Sequence, residues 1–195
     1  MVPLLTALPL ALAVMIGCAA GAAGPGQRSV GPPLPLDATR DGFSLDPYRF
    51  AVRRKVLRSF AQLSAGDPSA ALATMASDVT YTFEGDHALG GTRTTRAAVE
   101  RWFARLLRLL PGRFTIRSVQ VVGWPWRSIV YTVFEDVVTP AYGPSYRNHG
   151  VQVIELRWGS AVRIHTYVDT DRISRALQIL AEHGVAEAAA PPILE

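Results

Sequence analysis

The sequence predicts an α+β fold, in which a curved antiparallel sheet wraps around three or four helices. One observation is the stretch from Tyr131 to Asp169, whose alternating residues and turn signals predict three consecutive antiparallel strands. Another is that apolar residues recur at helical spacing in four segments outside this stretch. The elements follow in the order helix, helix, strand, helix, four strands, helix. A sheet curved around the helices would close this order into a cone with a central pocket.

The tightest connection between the predicted strands lies after Trp158. If the loop is Gly159-Ser160, with glycine first, it suits a type II′ hairpin turn. Counting back from that loop puts Val153 opposite Thr166. The alternation of side chains then predicts a core-facing set of Val151, Val153, Ile164, Thr166 and Val168. A bulge of one residue would reverse this facing for one strand.

Capping residues mark the starts of the helices. Asp46-Pro47 begins the first helix and Gly66 ends it, and its apolar positions are Val52, Val56, Phe60 and Leu63. Asp67-Pro68 begins a shorter second helix that carries Leu72 and Met75. Thr94 or Thr95 caps the third helix, whose apolar stripe is Val99, Trp102, Phe103, Leu106 and Leu110.

The remaining elements fill the gaps between these helices. Val79–Phe83 is predicted to be a short strand followed by a loop, and Phe114–Val122 a strand that leads into a turn at 123–126. Asp169 or Thr170 caps the last helix, which carries Ile173, Ala176, Leu177 and Leu180 and ends at Gly184.

The chain divides into four parts. Residues 1–23 are almost wholly apolar and uncharged between Val2 and Ala23, which suits a secretory signal, a membrane-spanning helix or a lipoprotein signal. Met15-Ile16-Gly17-Cys18 resembles a bacterial lipobox. Residues 24–46 form a Pro/Gly-rich linker, residues 47–184 the folded domain and residues 185–195 an extended tail. We expect an exported or membrane-anchored protein; the alternative is a mis-assigned start codon and a cytoplasmic domain.

Composition argues against several classes of function. The formal net charge is +4, and the one short basic cluster, Arg53-Arg54-Lys55, is typical of a solvated helix face rather than a nucleic-acid site. A single cysteine, Cys18, allows no internal disulfide. The four histidines lack metal-ligand spacing, so no metal or other cofactor is predicted; they are His87, His149, His165 and His183.

Three motifs, in this order, resemble the SnoaL-like branch of the nuclear transport factor 2-like superfamily. They are Ala65-Gly66-Asp67 leading to Met75–Val79, Leu89–Arg93 with the third helix, and Trp158-Gly159-Ser160 leading to Thr170. The resemblance covers 48–183 and implies a cystatin-like cone with a central pocket. This superfamily hosts isomerases, polyketide cyclase-like enzymes, epoxide hydrolases and binders without activity, so the fold alone does not assign a function.

The resemblance also implies which residues line the pocket. At the catalytic positions of ketosteroid isomerases this chain carries Ser59 and Phe83. At those of limonene-epoxide hydrolases only Tyr81 and Asp136 keep the family's residue, because Phe83, Phe134 and Thr166 replace polar catalytic groups. These departures disfavour both reactions.

The candidate site therefore combines the resemblance with the hairpin count. Catalytic candidates are Asp136, whose pKa an apolar wall would raise, Tyr81, and His149 as a neighbour of Asp136. Candidates for ligand binding are Phe83, Trp102, Phe103, Phe134, Val151, Val153 and Thr166. A hydrogen bond from His149 to Asp136 in a closed pocket would favour catalysis, and an isolated Asp136 would favour binding.

Two hypotheses follow. The first is a pocket domain that binds a small, largely apolar molecule and isomerises, cyclises or hydrolyses it by acid/base chemistry without a cofactor. The second is a binding or assembly module, without activity, of an exported or membrane-tethered protein. A homodimer through the outer face of the sheet, near His165 and Tyr167, is expected in either case.

Overall fold

The computed structural model describes residues 46–195. The predictions for the apolar segment and the linker fall on residues 1–45 and lie outside the described residues. Within 46–195, no helix has both the length and the apolar character needed to cross a membrane.

Four α-helices and six strands make up the described fold. The helices are α1 Pro47–Ser64, α2 Ser69–Ala73, α3 Arg96–Leu109 and α4 Thr170–Glu182, and a short 3₁₀ helix, Ala186–Ala189, follows them. The strands are β1 Met75–Phe83, β2 Gly91–Arg93, β3 Gly112–Trp124, β4 Arg127–Val138, β5 Tyr146–Arg157 and β6 Ser160–Val168. The α+β prediction is confirmed.

The strands form one mixed sheet in the order β2-β1-β6-β5-β4-β3. Strands β3 to β6 are antiparallel neighbours, as predicted, whereas β1 joins β6 in parallel. Helices α1, α3 and α4 pack their apolar stripes on the inner face of this sheet and share its hydrophobic core. The side chains that point inward from the sheet therefore surround the interior of the cone.

Local chemistry explains where the helices begin. The Asp46 carboxylate accepts the backbone N–H of Tyr48 (3.0 Å), and Thr95 accepts that of Ala98 (3.1 Å). Asp169 caps α4 in the same way, through the backbone N–H of Arg172 (3.4 Å). Each cap satisfies an N–H group that has no partner within its own helix. Of the alternatives left by the sequence, Thr95 and Asp169 are the caps.

The hairpin between β5 and β6 differs from the prediction in two ways. Its turn is Trp158-Gly159, since Arg157 pairs with Ser160, and both turn residues have positive φ (50° and 79°), which is the type I′ geometry. The register also shifts after Glu155, because Val162 of β6 is bulged out of the pairing. Moving the turn by one residue does not change which side chains of β5 and β6 share a face. The bulged residue does change this, because it shifts the pairing beyond it by one position.

This reversal turns β5 over relative to the prediction. Gln152 now pairs with Thr166 and Ile154 with Ile164 on the inner face, while Val153 pairs with His165 on the outer face. The expectation that Val151 and Val153 face the core is therefore wrong. The inner-facing residues of β5 are Tyr146, Asn148, Gly150, Gln152, Ile154 and Leu156.

The C-terminal residues pack on the domain, although the sequence predicted an extended tail. The Glu187 carboxylate forms ion pairs with Arg105 (3.2 Å) and Arg108 (2.6 Å) of α3, and Ala188 is buried. The Arg105 guanidinium also donates to the carbonyl of Pro191 (2.8 Å). The prediction therefore missed the 3₁₀ helix and its attachment to α3.

Candidate functional site

A cavity of about 80 Å³ lies between the inner face of the sheet and helices α1 to α4. Most of its lining is aromatic or aliphatic, and its few polar side chains come from β1, β4, β5 and β6. Its lining includes Tyr81, Phe83, Trp102, Phe103, Phe134, Asp136, Tyr146, Asn148, Gln152 and Thr166. An enclosed apolar space with few polar groups is the usual composition of a site for a small molecule.

Asp136 is the only carboxylate among the residues that line this cavity. Asp136 is 8 % exposed, and its Oδ1 atom has no hydrogen-bond partner within residues 46–195. Burial raises the pKa of this carboxyl from 3.8 to about 6, and the charge of His149 opposes that rise only in part. The carboxyl therefore changes its protonation state close to neutral pH, at a position where a bound molecule would meet it.

Two polar residues beside Asp136 were not among the predicted site residues. Asn148 pairs with Asp136 across β4 and β5, and Tyr146 is its diagonal neighbour on the same face. The Tyr146 hydroxyl is buried without a hydrogen-bond partner in the described part of the chain. Burial, together with the negative charges of Asp136 and Asp169, raises the pKa of Tyr146, so its hydroxyl keeps its proton. In the part of the chain that the structure describes, two buried polar atoms thus lack partners at one end of the cavity.

Asn148 has a structural task. Its side-chain oxygen accepts the backbone N–H groups of His149 (2.8 Å) and Asp169 (3.1 Å). These bonds tie the start of α4 to β5 and fix the backbone opposite Asp136. Asn148 therefore shapes the polar end of the cavity rather than offering its oxygen to a ligand.

A second polar group lies deeper in the sheet and is already hydrogen-bonded. The Tyr81 hydroxyl lies 3.4 Å from the Thr166 hydroxyl, which also accepts a hydrogen bond from the Gln152 amide (3.0 Å). Burial raises the pKa of Tyr81 to about 12. Tyr81 and Asp136 both line the cavity, as predicted, but the Tyr81 hydroxyl keeps its proton and is already hydrogen-bonded to Thr166.

An aromatic wall closes the cavity on the side of α3. The Trp102 ring packs against Tyr81 (4.8 Å between centroids), Phe83 (5.2 Å) and Phe103 (5.0 Å). Its indole N–H donates to the carbonyl of Leu89 (2.8 Å). This bond and the ring contacts attach the loop after β1 to α3, which fixes that wall.

A buried arginine supports the same loop. The Arg93 guanidinium lies 5.1 Å from the centre of the Trp102 ring and donates to the carbonyls of Leu89 (3.0 Å), Gly90 and Gly91 (2.7 Å). Burial lowers the pKa of Arg93 to about 10, so the group still carries its charge at neutral pH. Its two terminal nitrogens donate to backbone carbonyls rather than to a carboxylate, whereas its Nε has no hydrogen-bond partner within residues 46–195.

Three predicted site residues point away from the cavity. Val151, Val153 and His149 lie on the outer face of the sheet because of the bulge described above. The His149 side chain is 69 % exposed and lies 3.7 Å from Glu135, not beside Asp136. The expected pairing of His149 with Asp136 is therefore wrong. No group of three metal-ligating side chains comes together within 46–195 either.

Gly150 controls the space available to Phe134. A β carbon at Gly150 would lie 2.3 Å from the Phe134 ring, so Gly150→Ala must displace that ring toward the cavity. We expect Gly150→Ala to lower the free energy of unfolding by about 1–3 kcal/mol. Chemical denaturation measures this, with Gly112→Ala as the control because its β carbon meets nothing closer than 3.5 Å. Equal stability of the two variants would show that Phe134 is not confined.

Comparison with known proteins agrees with this architecture. The family model of the SnoaL-like domain matches residues 56–164, which is more than half of the chain. No curated protein matches the sequence.

Solved structures share the fold at low sequence identity. An NTF2-like protein from Burkholderia thailandensis is 22 % identical with a TM-score of 0.56, covering 65 % of this chain and 97 % of its own. TerC, co-crystallised with polyporic acid, is 24 % identical with a TM-score of 0.53, covering 65 % and 98 %. A protein from Jannaschia sp. CCS1, assigned as a SnoaL-like polyketide cyclase, is 16 % identical with a TM-score of 0.52, covering 77 % and 100 %.

Proposed function

Because the chain belongs to the SnoaL-like domain family, we propose that its cavity binds a small, largely apolar molecule carrying one polar group. The observation that carries this proposal is a pair of buried polar atoms, Asp136 Oδ1 and the Tyr146 hydroxyl, that have no partner among the described residues and lie in a largely apolar cavity. An unpaired buried polar group costs free energy, about 1–3 kcal/mol, that a suitable ligand would recover. The aromatic wall would hold the apolar part of the ligand.

Native mass spectrometry of the protein purified from the organism that makes it tests this proposal. We expect a bound organic molecule that is released on unfolding. Asp136→Leu should bind it more weakly, because the carboxyl that meets the polar group is gone. An exposed control, Asp78→Asn on β1, should retain it. Release of the same molecule from Asp136→Leu at the same yield would contradict the proposal.

Proton transfer is the second candidate function. Within residues 46–195 Asp136 Oδ1 has no hydrogen-bond partner, which by itself favours binding, but the raised pKa of Asp136 and the nearby Tyr146 hydroxyl suit an enolisation. The Asp136 carboxylate would remove a proton from the carbon beside a carbonyl group. The Tyr146 hydroxyl would donate a hydrogen bond to the carbonyl oxygen as it becomes an enolate. This step is common to isomerisation and to ring-closing condensation, and the Jannaschia relative is assigned to the cyclases.

Hydrogen–deuterium exchange of a simple ketone separates this candidate from binding alone. In D₂O, we expect wild-type protein to accelerate exchange at the carbon beside the carbonyl of cyclohexanone. Asp136→Asn should abolish the acceleration, and Tyr146→Phe should reduce it about 100-fold, as for loss of an oxyanion donor. If neither variant changes the exchange rate, Asp136 is not a base and binding alone remains.

We also propose that the outer face of the sheet pairs two copies of the chain. This face exposes Tyr131, Val137, Val151 and Tyr167. His165, predicted beside this surface, is bonded there to Glu84 and to the Tyr167 hydroxyl (3.2 Å). In sedimentation equilibrium we expect wild type to be a dimer and Tyr131→Arg a monomer, and a monomeric wild type would contradict this pairing.

A further inference from the structure

One end of the sheet exposes three of the chain's four tryptophans. Trp158 is 79 % exposed, Trp124 is 62 % exposed and Trp126 is 54 % exposed, whereas Trp102 belongs to the core. Tryptophan is rarely left in water without a use, because its ring is the largest apolar surface that a side chain offers. The three rings therefore mark a surface with a role outside folding.

The sheet register brings these tryptophans to the same end of the domain. The turn Pro125-Trp126 joins β3 to β4, and the turn Trp158-Gly159 joins β5 to β6. Because Ser128 pairs with Leu156, the two turns lie side by side. The rings of Trp124 and Trp126 are stacked, with 5.7 Å between centroids and 4° between planes. We call this group, Trp124, Trp126 and Trp158, the tryptophan edge.

Backbone geometry at Trp158 supports a role for its exposed ring. Trp158 has a φ of 50°, and it is the only residue other than glycine with positive φ in 46–195. Asparagine, aspartate or glycine is the usual residue in that position of a type I′ turn. A strained tryptophan that packs against little is better explained by a contact with something outside the domain.

The charge around the tryptophan edge is positive. Arg127, Arg157 and Arg163 lie 3.6, 3.8 and 3.8 Å from the single carboxylate of Glu155, and all three side chains are mostly exposed. Lys55 of α1 adds a further cation at this end, since it lines the same cavity as Gly159. This combination of exposed indoles and excess cations suits an anionic surface that also has an apolar layer.

The first turn of α1 lies at this same end of the domain. The Tyr48 hydroxyl is hydrogen-bonded to the Ser128 hydroxyl (2.6 Å), which places the first turn of α1 beside the start of β4. The described part of the chain, which starts at Asp46, therefore begins close to the tryptophan edge.

We propose that the tryptophan edge docks on the surface of an anionic phospholipid bilayer. The indoles would lie at the depth of the headgroups, where their rings contact acyl chains and their N–H groups contact water or ester oxygens. The surrounding arginines would pair with lipid phosphates. A second copy of the chain fits this edge less well, because symmetric pairing would bring the arginine clusters of both copies together.

The four tryptophans themselves provide the reporter. Residues 1–45 contain no tryptophan, so contact of that segment with lipid does not produce the signal directly. The full-length chain is titrated with phosphatidylcholine vesicles that contain about one quarter phosphatidylglycerol and carry brominated acyl chains, which quench indoles at the interface. We expect the vesicles to quench tryptophan emission and to shift it to shorter wavelength. The apparent affinity should be about ten-fold higher than for vesicles of phosphatidylcholine alone, and it should fall as the salt concentration rises.

Matched variants assign the signal to the edge. The variant Trp124→Thr, Trp126→Ser, Trp158→Asn keeps only Trp102 and suits the turn, since asparagine tolerates positive φ. Because it also removes the reporter, its binding is measured by co-sedimentation with the same vesicles, and we expect that binding to fall about ten-fold. Tyr142→Ser, which removes an exposed aromatic ring from the loop between β4 and β5 at the opposite end, should leave it unchanged. Circular dichroism checks that each variant is folded.

Three results would overturn the proposal. One is the absence of quenching in the wild type. Another is equal co-sedimentation of the triple variant with the vesicles, which would place the contact outside the tryptophan edge. The third is a dimer that the triple variant loses in sedimentation experiments while vesicles leave wild-type emission unchanged, because the edge would then bind a second copy instead of a bilayer.

Discussion

Replacing Asp136 with asparagine is expected to raise the free energy of unfolding at pH 7 by up to about 3 kcal/mol. Burial holds the pKa of this carboxyl at about 6 in the folded protein, against 3.8 as its ordinary value. A raised pKa means that folding favours the protonated form. Its stabilising effect is complete below pH 3.8 and is lost as the pH rises through the folded pKa. A difference of about two pKa units corresponds to about 3 kcal/mol, and asparagine, which stays neutral, avoids that loss.

The measurement is chemical denaturation of wild type and Asp136→Asn at several pH values from 4 to 7. The difference in the free energy of unfolding should grow with pH and become constant above the folded pKa of about 6. Asp78→Asn, which changes an exposed carboxyl of β1, should run parallel to wild type over the same range. A constant difference between wild type and Asp136→Asn would mean that the carboxyl is well solvated and that the cavity is not dry at this end.

Trp102→Ala is expected to lower the free energy of unfolding by about 3–5 kcal/mol, the usual cost of truncating a buried aromatic residue. The Trp102 side chain is 1 % exposed, packs on three aromatic rings and donates a hydrogen bond to Leu89. Its loss also leaves the Arg93 cation without the ring that covers it. Denaturation of this variant at neutral pH gives the value.

The tryptophan edge supplies the matched control for that experiment. Trp158→Asn removes the same ring from an exposed position with positive φ, so we expect stability to stay the same or to rise by a few tenths of a kcal/mol. If Trp102→Ala cost less than about 1 kcal/mol, the aromatic wall would not be part of the core. The loop that Trp102 and Arg93 support would then be free to open.

Much of the architecture is predictable because local chemistry and global fold agree. Asp46 and Thr95 sit where capping residues belong, and the apolar stripe of α3 follows helical spacing as far as Leu109. Strands β3 to β6 follow from alternation and short turns. The parallel pairing of β1 with β6 is different, because it joins residues far apart in sequence, such as Tyr81 and Ile164, and no local signal records it.

The predicted facing of β5 was wrong because it was counted from the position of the turn between β5 and β6. A single bulged residue, Val162, was enough to reverse the count. The sequence of β5 contained another signal. Its charged residues and its histidine all occupy odd-numbered positions and therefore one face of the strand, which predicts that this face is the outer one; they are Arg147, His149, Glu155 and Arg157. If the facing of β5 is predicted from this charge pattern instead of from the turn, Asn148 and Tyr146 lie on the inner face of the sheet.

The sequence predicted the candidate site only in part. The resemblance put Asp136, Tyr81 and Thr166 on inner-facing positions, and the structure places all three on the cavity. His149 was chosen as the partner of Asp136 through the faulty count, and Tyr146 was missed. The absence of any partner for the Tyr146 hydroxyl in the described residues is a property of packing, which sequence alone does not record.

The proposed function requires that this cavity binds an apolar molecule through one polar group at Asp136. Nuclear magnetic resonance titration with p-cresol and toluene tests it most directly, because the two molecules differ only by a hydroxyl group. We predict that p-cresol shifts signals of Phe134 and Trp102 and binds about ten-fold more tightly than toluene, as expected for one buried hydrogen bond. Asp136→Leu should remove this preference. Equal binding of the two molecules by wild type, or shifts confined to the outer face of the sheet, would contradict the account.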